Sequence, residues 1–331
     1  MSALPSTFNL QHSTRSFAAV WLVLGVPFLL VPGGARAQTS PPPFTVDRYV
    51  IDAKLFPSTH TLSAQVEIHF TPQADLRSLS FELNSALKVS KVLNASGREL
   101  GFHQDGQTFG TDFPDALKSG SASSITVTYS GSLASAEGSP VENLKLAYVG
   151  PEGSYLLYPG RWFPVAGYGT NRFAAKMRIT VPPDEVAIAS GSPSMPEKAA
   201  GQTTYTFEYN KPSFPGTVLA GNYKVIPGTA VGADITMYLK PASEKYAQPY
   251  AEAAGKMLSF FTDKFGPLPE SHLAIVEIAD DTVGGTSAPG VMALATRGFA
   301  DRVDVGLLAH EISHQWWPCL VSPATPNFAA E

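Results

Sequence analysis

The sequence predicts an α+β protein of two domains, an antiparallel β-sandwich over 44–228 followed by a mixed unit over 229–331. Three observations carry that division. Apolar residues alternate with period two in segment after segment up to about residue 209, as half-buried strands do. The period turns helical after about residue 240. Gly and Pro stand at 28 each while charged residues make up only 15%, the balance of a turn-rich β protein.

Taken in order, residues 1–37 read as a secretory signal peptide. Arg15 supplies the positive start, Phe17 to Val31 the apolar stretch, and Ala35-Arg36-Ala37 the small-x-small cleavage site. The apolar stretch contains Pro27 and is shorter than the roughly 20 residues a bilayer span needs, so no stable membrane span is expected after cleavage. The expected destination is secreted or periplasmic. A stiff Pro-rich leader occupies 38–43. Strands are then predicted at Tyr49-Ile51-Ala53-Leu55 and at Leu62-Ala64-Val66-Ile68-Phe70. Others follow at Ile125-Val127-Tyr129, Met177-Ile179-Val181 and Tyr205-Phe207-Tyr209, with turns at 94–97 and 191–193.

In the second unit, Ala253, Met257, Phe260, Phe261 and Phe265 fall on one helical stripe, with Pro249 suited to a first turn and Gly266-Pro267 to a stop. Leu273 to Ile278 reads as a strand and Val283 to Gly290 as a Gly-rich loop. A last helix is expected from about Asp301 until Pro318 stops it near Trp317, apolar over much of its circumference. The net charge of −5 and the absence of any basic cluster exclude nucleic acid as a partner. Cys319 is the single cysteine, so no intrachain disulfide forms; it is expected as a small buried thiol.

That last helix carries His310-Glu311-Ile312-Ser313-His314. Two imidazoles at i and i+4 lie one turn apart and can share one zinc ion. Glu311 is rotated about 100° from His310, placed to take a proton from a metal-held water rather than to ligate. The other histidines read differently: His69 on a polar strand face, His60 and His103 in turns, His272 ahead of a strand, His12 in the signal. Asp280-Asp281 beside Gly284-Gly285 reads as a turn.

His310-Glu311-Ile312-Ser313-His314-Gln315-Trp316-Trp317 with Leu320-Val321-Ser322-Pro323 resembles the HExxHQW…LVTP stretch of the gluzincin aminopeptidases, the family of aminopeptidase N and leukotriene A4 hydrolase. Lys264-Phe265-Gly266-Pro267-Leu268-Pro269 and the strand at 273–278 are similar to the approach to that family's substrate edge strand. Arg161-Trp162-Phe163-Pro164 and Ala189-Ser190-Gly191 are similar to parts of its saddle-shaped N-terminal domain. The likeness covers most of 44–331 and is strongest over 260–325. It implies a β-sandwich or saddle domain followed by a thermolysin-like metallopeptidase domain that is incomplete here. It further implies Zn2+ on His310 and His314, Glu311 as general base, and peptides as substrate.

Three departures accompany the resemblance. The family's third ligand is a Glu separated from the second His by eighteen intervening residues, at a position two beyond Glu331, which ends the sequence. A two-residue offset turns a helical side chain by about 200°, so Glu331 is expected to point away. The family's amine-gripping Gly-x-Met-Glu-Asn is replaced by Ser287-Ala288-Pro289-Gly290-Val291. Its transition-state Tyr and helical C-terminal domain have no counterpart in the 331 residues. The expectation is therefore a secreted zinc metallopeptidase impaired by truncation, or one completed by a separate C-terminal chain. The alternative is a non-catalytic exported β-domain binding protein, a pseudo-peptidase with a vestigial zinc helix.

Overall fold

A computed structural model describes residues 41–228 and 234–322. The expected signal peptide, the first half of the expected leader and Glu331 lie outside the described residues. No helix among those described is long and apolar enough to cross a membrane.

Each strand expected from alternation lies in one large sheet. Its order runs Gln202–Ser213, Phe173–Val181, Phe44–Phe56, Thr61–Pro72, Ser123–Ser132, Leu87–Asn94, with short strands added at the Gln202–Ser213 edge. The apolar half of the first two alternations is buried: Tyr49, Ile51, Ala53 and Leu55 on one strand, Leu62, Val66, Ile68 and Phe70 on the next. One pairing departs from the antiparallel expectation, because Phe44–Phe56 and Phe173–Val181 run parallel. Those strands are far apart in sequence, and alternation carries no information on direction. A three-stranded sheet (Leu76–Glu82, Thr108–Leu117, Phe102–Asp105) and a four-stranded sheet (Val186–Ala189, Val218–Gly221, Ser154–Leu156, Ala147–Tyr148) complete this part. Trp162 is fully buried among them, its indole N–H donating to Gly216 O at 2.7 Å.

Glu185, between Val181 and Val186, is an uncomfortable member of this domain. Its Oε2 is buried without a hydrogen-bond partner among the described residues. Burial, helped by Asp184, pushes the carboxyl up to about 7. The folded protein therefore binds this proton more tightly than the unfolded chain, so stability falls as pH rises from about 4.5 to about 7. Glu185→Gln is expected to match the wild type at pH 4 and exceed it at pH 8 by about 1–2 kcal/mol, a figure reduced for the solvent that still reaches the group. Denaturant midpoints at the two pH values check it; equal gains at both would contradict it.

The second unit is a five-stranded sheet in the order Lys224–Gly228, Asp234–Leu239, His272–Ile278, Val291–Ala295, Gly285–Ala288. Lys224–Gly228 pairs with Asp234–Leu239, so the second sheet begins a few residues before the expected division at 228/229. The sheet has two covered faces. Leu273 and Ile275 meet the helices α1 (Ala247–Phe265) and α2 (Val305–Ser313). Ala274, Val276 and Ile278 meet Tyr155, Leu157, Ile188 and Leu219 of the β domain. That double burial is why residues 273–278 form an almost continuous apolar run rather than an alternation. Its one charged member, Glu277, is fully buried and accepts from Lys240 N–H at 2.8 Å and Ser243 Oγ–H at 3.0 Å.

Both helices differ from the sequence expectation. α1 ends at Gly266 (φ +90°) as expected, yet it buries Ala247, Tyr250, Ala251, Ala254 and Leu258 rather than the aromatic stripe. Phe260 and Phe265 are exposed. Small residues win the sheet-facing side because they let the backbones approach; a Cβ on Gly228 would stand 3.0 Å from Ala251 Cβ. α2 starts at Val305, not 301, because Asp304 caps it by accepting from Leu307 N–H at 3.0 Å. It ends at Ser313, and turns carry the chain to Trp317. Its burial is one-sided: Leu308, Glu311 and Ile312, then Gln315 and Trp316, are buried, while Val305 is 60% and Trp317 41% exposed.

Candidate metal centre

α2 brings His310, Glu311 and His314 together beside the edge strand Gly285–Ala288. The two imidazoles approach with Nε2 to Nε2 at 3.2 Å. Two nitrogens bound tetrahedrally to one zinc at about 2.0–2.1 Å stand roughly 3.3–3.4 Å apart, so the pair fits a shared ion. His314 Nδ1 lies 2.6 Å from Trp317 O. A carbonyl can only accept, so Nδ1 carries the proton and the Nε2 lone pair faces the ion position. Burial, together with the neighbouring His310, lowers the His314 pKa and favours the neutral ligand form. His310 is exposed, not buried with the rest of the helix as its apolar flanks suggested.

Glu311 occupies a slot between α2 and the edge strand. It is fully buried. Ser287 Oγ–H lies 2.9 Å from its Oε2 and 2.8 Å from its backbone carbonyl, so the hydroxyl serves either acceptor. Oε1 has no partner among the described residues. A Cβ on Gly285 would stand 2.7 Å from that oxygen, so only glycine leaves room for the carboxylate. Burial pushes the carboxyl up to about 7, against the lowering effect of Ser287. A buried carboxylate with one oxygen tethered and one free, beside two converging imidazoles, suits the transfer of a proton.

The helix and the hairpin are tied together by Gln315, which accepts from Gly290 N–H at 2.9 Å and donates to Ala288 O at 3.1 Å. Gln315, Ser287 and Gly285 carried no signal by themselves in the sequence. Only the Gly-rich character of 283–290 marked a strand that had to pass close to something, and the expected loop is in fact a hairpin. Among the described residues no third His, Cys, Asp or Glu converges with His310 and His314. Glu331 lies outside them.

The remaining candidates are elsewhere. His69 pairs with Glu67 on the exposed strand face, and His60 holds Val149 O at 2.7 Å from a turn. His103 lies on the strand Phe102–Asp105 rather than in a turn, and His272 opens the strand His272–Ile278. Asp280 is the turn residue expected, accepting from Thr282 N–H at 2.9 Å and from Tyr155 O–H at 2.7 Å. Cys319 is buried, and burial pushes its thiol up to about 12, an inert group.

No family profile matches the chain. Aminopeptidase 2 of Candida albicans is 24% identical over 298 residues, which cover 82% of this chain and 31% of that protein. The chain thus spans about a third of the length of this curated relative. Among solved structures, the M1 zinc metallopeptidase of Deinococcus radiodurans superposes with a TM-score of 0.69 at 19% identity, covering 86% of this chain and 69% of that one. A mutant of the same metallopeptidase, bound to a Tyr-Ser-Ala substrate, gives 0.66 at 20% identity over the same shares. The fold of a β domain leading into a sheet-and-helix unit is thus shared with the M1 zinc metallopeptidase. In sequence the chain is similar to Aminopeptidase 2, and that similarity together with the shared fold supports a relationship to the gluzincin aminopeptidases.

Proposed function

We propose that the chain is an exported, zinc-dependent peptidase related to the aminopeptidases but without their grip on the substrate's free amine. The observation that carries this reading is the 3.2 Å imidazole pair with Glu311 seated beside it against a free strand edge. His310 and His314 hold the ion, with a third ligand from outside the described residues or from a separate chain. Zinc, when bound, supplies a lowered water pKa and a polarised carbonyl. The outer edge of Gly285–Ala288 is unpaired among the described strands and offers its backbone to an extended peptide. Gly285 keeps the slot open, Ser287 fixes one oxygen of Glu311, and the other oxygen accepts the proton of the attacking water. Glu311 then returns it to the departing amine. Export is supported by the charged, apolar and small-x-small segments of residues 1–37.

The substrate's free amine is not gripped by a carboxylate from 285–291, because Ser287 stands in the segment where the family resemblance implies a Glu. Hydrolysis of matched peptides with free and acetylated amino termini tests the reading. Cleavage is expected to require zinc and to fall by about 10²–10⁴-fold in Glu311→Gln. Acetylation is expected to change kcat/KM by less than about tenfold, the scale of one exposed ion pair. Cleavage that survives in the Gln variant overturns the assignment of Glu311, and a hundredfold loss on acetylation overturns the account of the amine.

A further inference from the structure

The carbonyls of the turn that follows α2 are held by the β domain, not by their own unit. Arg172, immediately ahead of the strand Phe173–Val181, donates from Nη1 to Leu320 O at 3.0 Å and from Nη2 to Pro318 O at 3.1 Å. Nη2 also reaches Cys319 O at 2.5 Å. Ser213, which pairs with Phe173 across the sheet, adds its hydroxyl to Cys319 O at 2.6 Å. The guanidinium rests over the Phe214 ring, 5.3 Å from its centroid, which fixes the plane of the fork. Three successive carbonyls, 318 to 320, therefore converge on one side chain from another domain. The carbonyl just before them, Trp317 O, is the one that orients His314 through Nδ1 at 2.6 Å.

We infer that Arg172, assisted by Ser213, is a positioning residue for the metal ligand His314. By fixing the path of 318–320 it places Trp317 O where only the Nδ1–H form of His314 satisfies it, and so presents the Nε2 lone pair to the ion. The β domain is thereby part of the metal centre without touching the ion. Among the described residues only the β domain holds these three carbonyls: within the turn, Cys319, Leu320 and Val321 use their N–H groups on His314 O and Trp316 O, which leaves the carbonyls for Arg172 and Ser213.

Zinc on His314 rests on the proposed function, but the orientation of its ring does not, and the two are separable. In metal-free protein at a pH where imidazole is neutral, nitrogen NMR of the histidine rings is expected to show His314 as a single Nδ1–H tautomer. Arg172→Lys keeps the charge and loses the fork; it is expected to shift that signal towards the Nε2–H form. In the same variant the zinc dissociation constant, read by chelator competition, is expected to rise by about 10–100-fold, the usual effect of losing a ligand's orienting partner. Ser213→Ala, a smaller change for a fold that tolerates Arg172→Lys poorly, is expected to move both readings in the same direction by less. A His314 tautomer in both variants identical to the wild type overturns the inference. Absence of zinc from the wild type would instead count against the metal centre and leave the tautomer result to decide the role of Arg172.

Discussion

Trp316→Ala is expected to cost about 3–5 kcal/mol and to unfold the second unit before the β domain. Trp316 is 1% exposed and packs across Phe261 at a centroid distance of 5.7 Å. It shares one core with Leu308 and Ile312 of α2 and with Leu273, Ile275, Met292 and Leu294 of the sheet. Its indole N–H has no partner among the described residues, so the loss is one of packing rather than of hydrogen bonding. The backbone it leaves behind keeps its bonds, since Val321 N–H still reaches residue 316 O at 2.8 Å. Trp317, the next residue, is the internal comparison. It is 41% exposed and rests edge-on against Phe265 at 4.5 Å. Trp317→Ala is expected to cost about 1 kcal/mol, the value of an aromatic pair at the surface. Urea unfolding of the two variants, followed by the fluorescence of the remaining tryptophans, measures the difference. Equal costs at 316 and 317 would mean that α2 is not seated as described.

The same pair of residues shows where the sequence could be read and where it could not. Both tryptophans carry the same hydrophobic signal, and the expectation of a helix buried over much of its circumference treated them alike. Burial separates them because α2 ends at Ser313 and the turn beyond it faces Trp317 outward, which no periodicity encodes. The large sheet was legible because alternation is a local signal, repeated along each strand and sufficient to assign its buried face. Its parallel pairing between Phe44–Phe56 and Phe173–Val181 was not, since direction depends on partners more than a hundred residues apart. In α1 the aromatic stripe drew attention, yet small residues determine which side approaches the sheet.

In the candidate metal centre, the sequence could single out His310, Glu311 and His314 because metal ligation needs particular residue types at a fixed helical spacing. The groups that orient them could not be singled out. Ser287, Gly285, Gln315 and Arg172 act through a hydroxyl, an absent side chain, an amide and a guanidinium brought from 24, 26, 4 and 139 positions away from Glu311 in sequence. Such groups satisfy geometry, and geometry appears only when the strands and helix have been placed.

On the proposed reading, α2 and the turn after it present a zinc site built on two imidazoles. Losing one of the two proposed ligands is the largest functional change expected, because a single remaining imidazole holds zinc far more weakly than a chelating pair. The fold itself should survive, as His310 is exposed and makes no contribution to the core. The direct measurement is the zinc content of purified protein by mass spectrometry, for the wild type and for His310→Ala, with circular dichroism to confirm the fold of each. Near one zinc per chain in the wild type and near none in the folded variant is the expected result; equal zinc in the two would contradict the site.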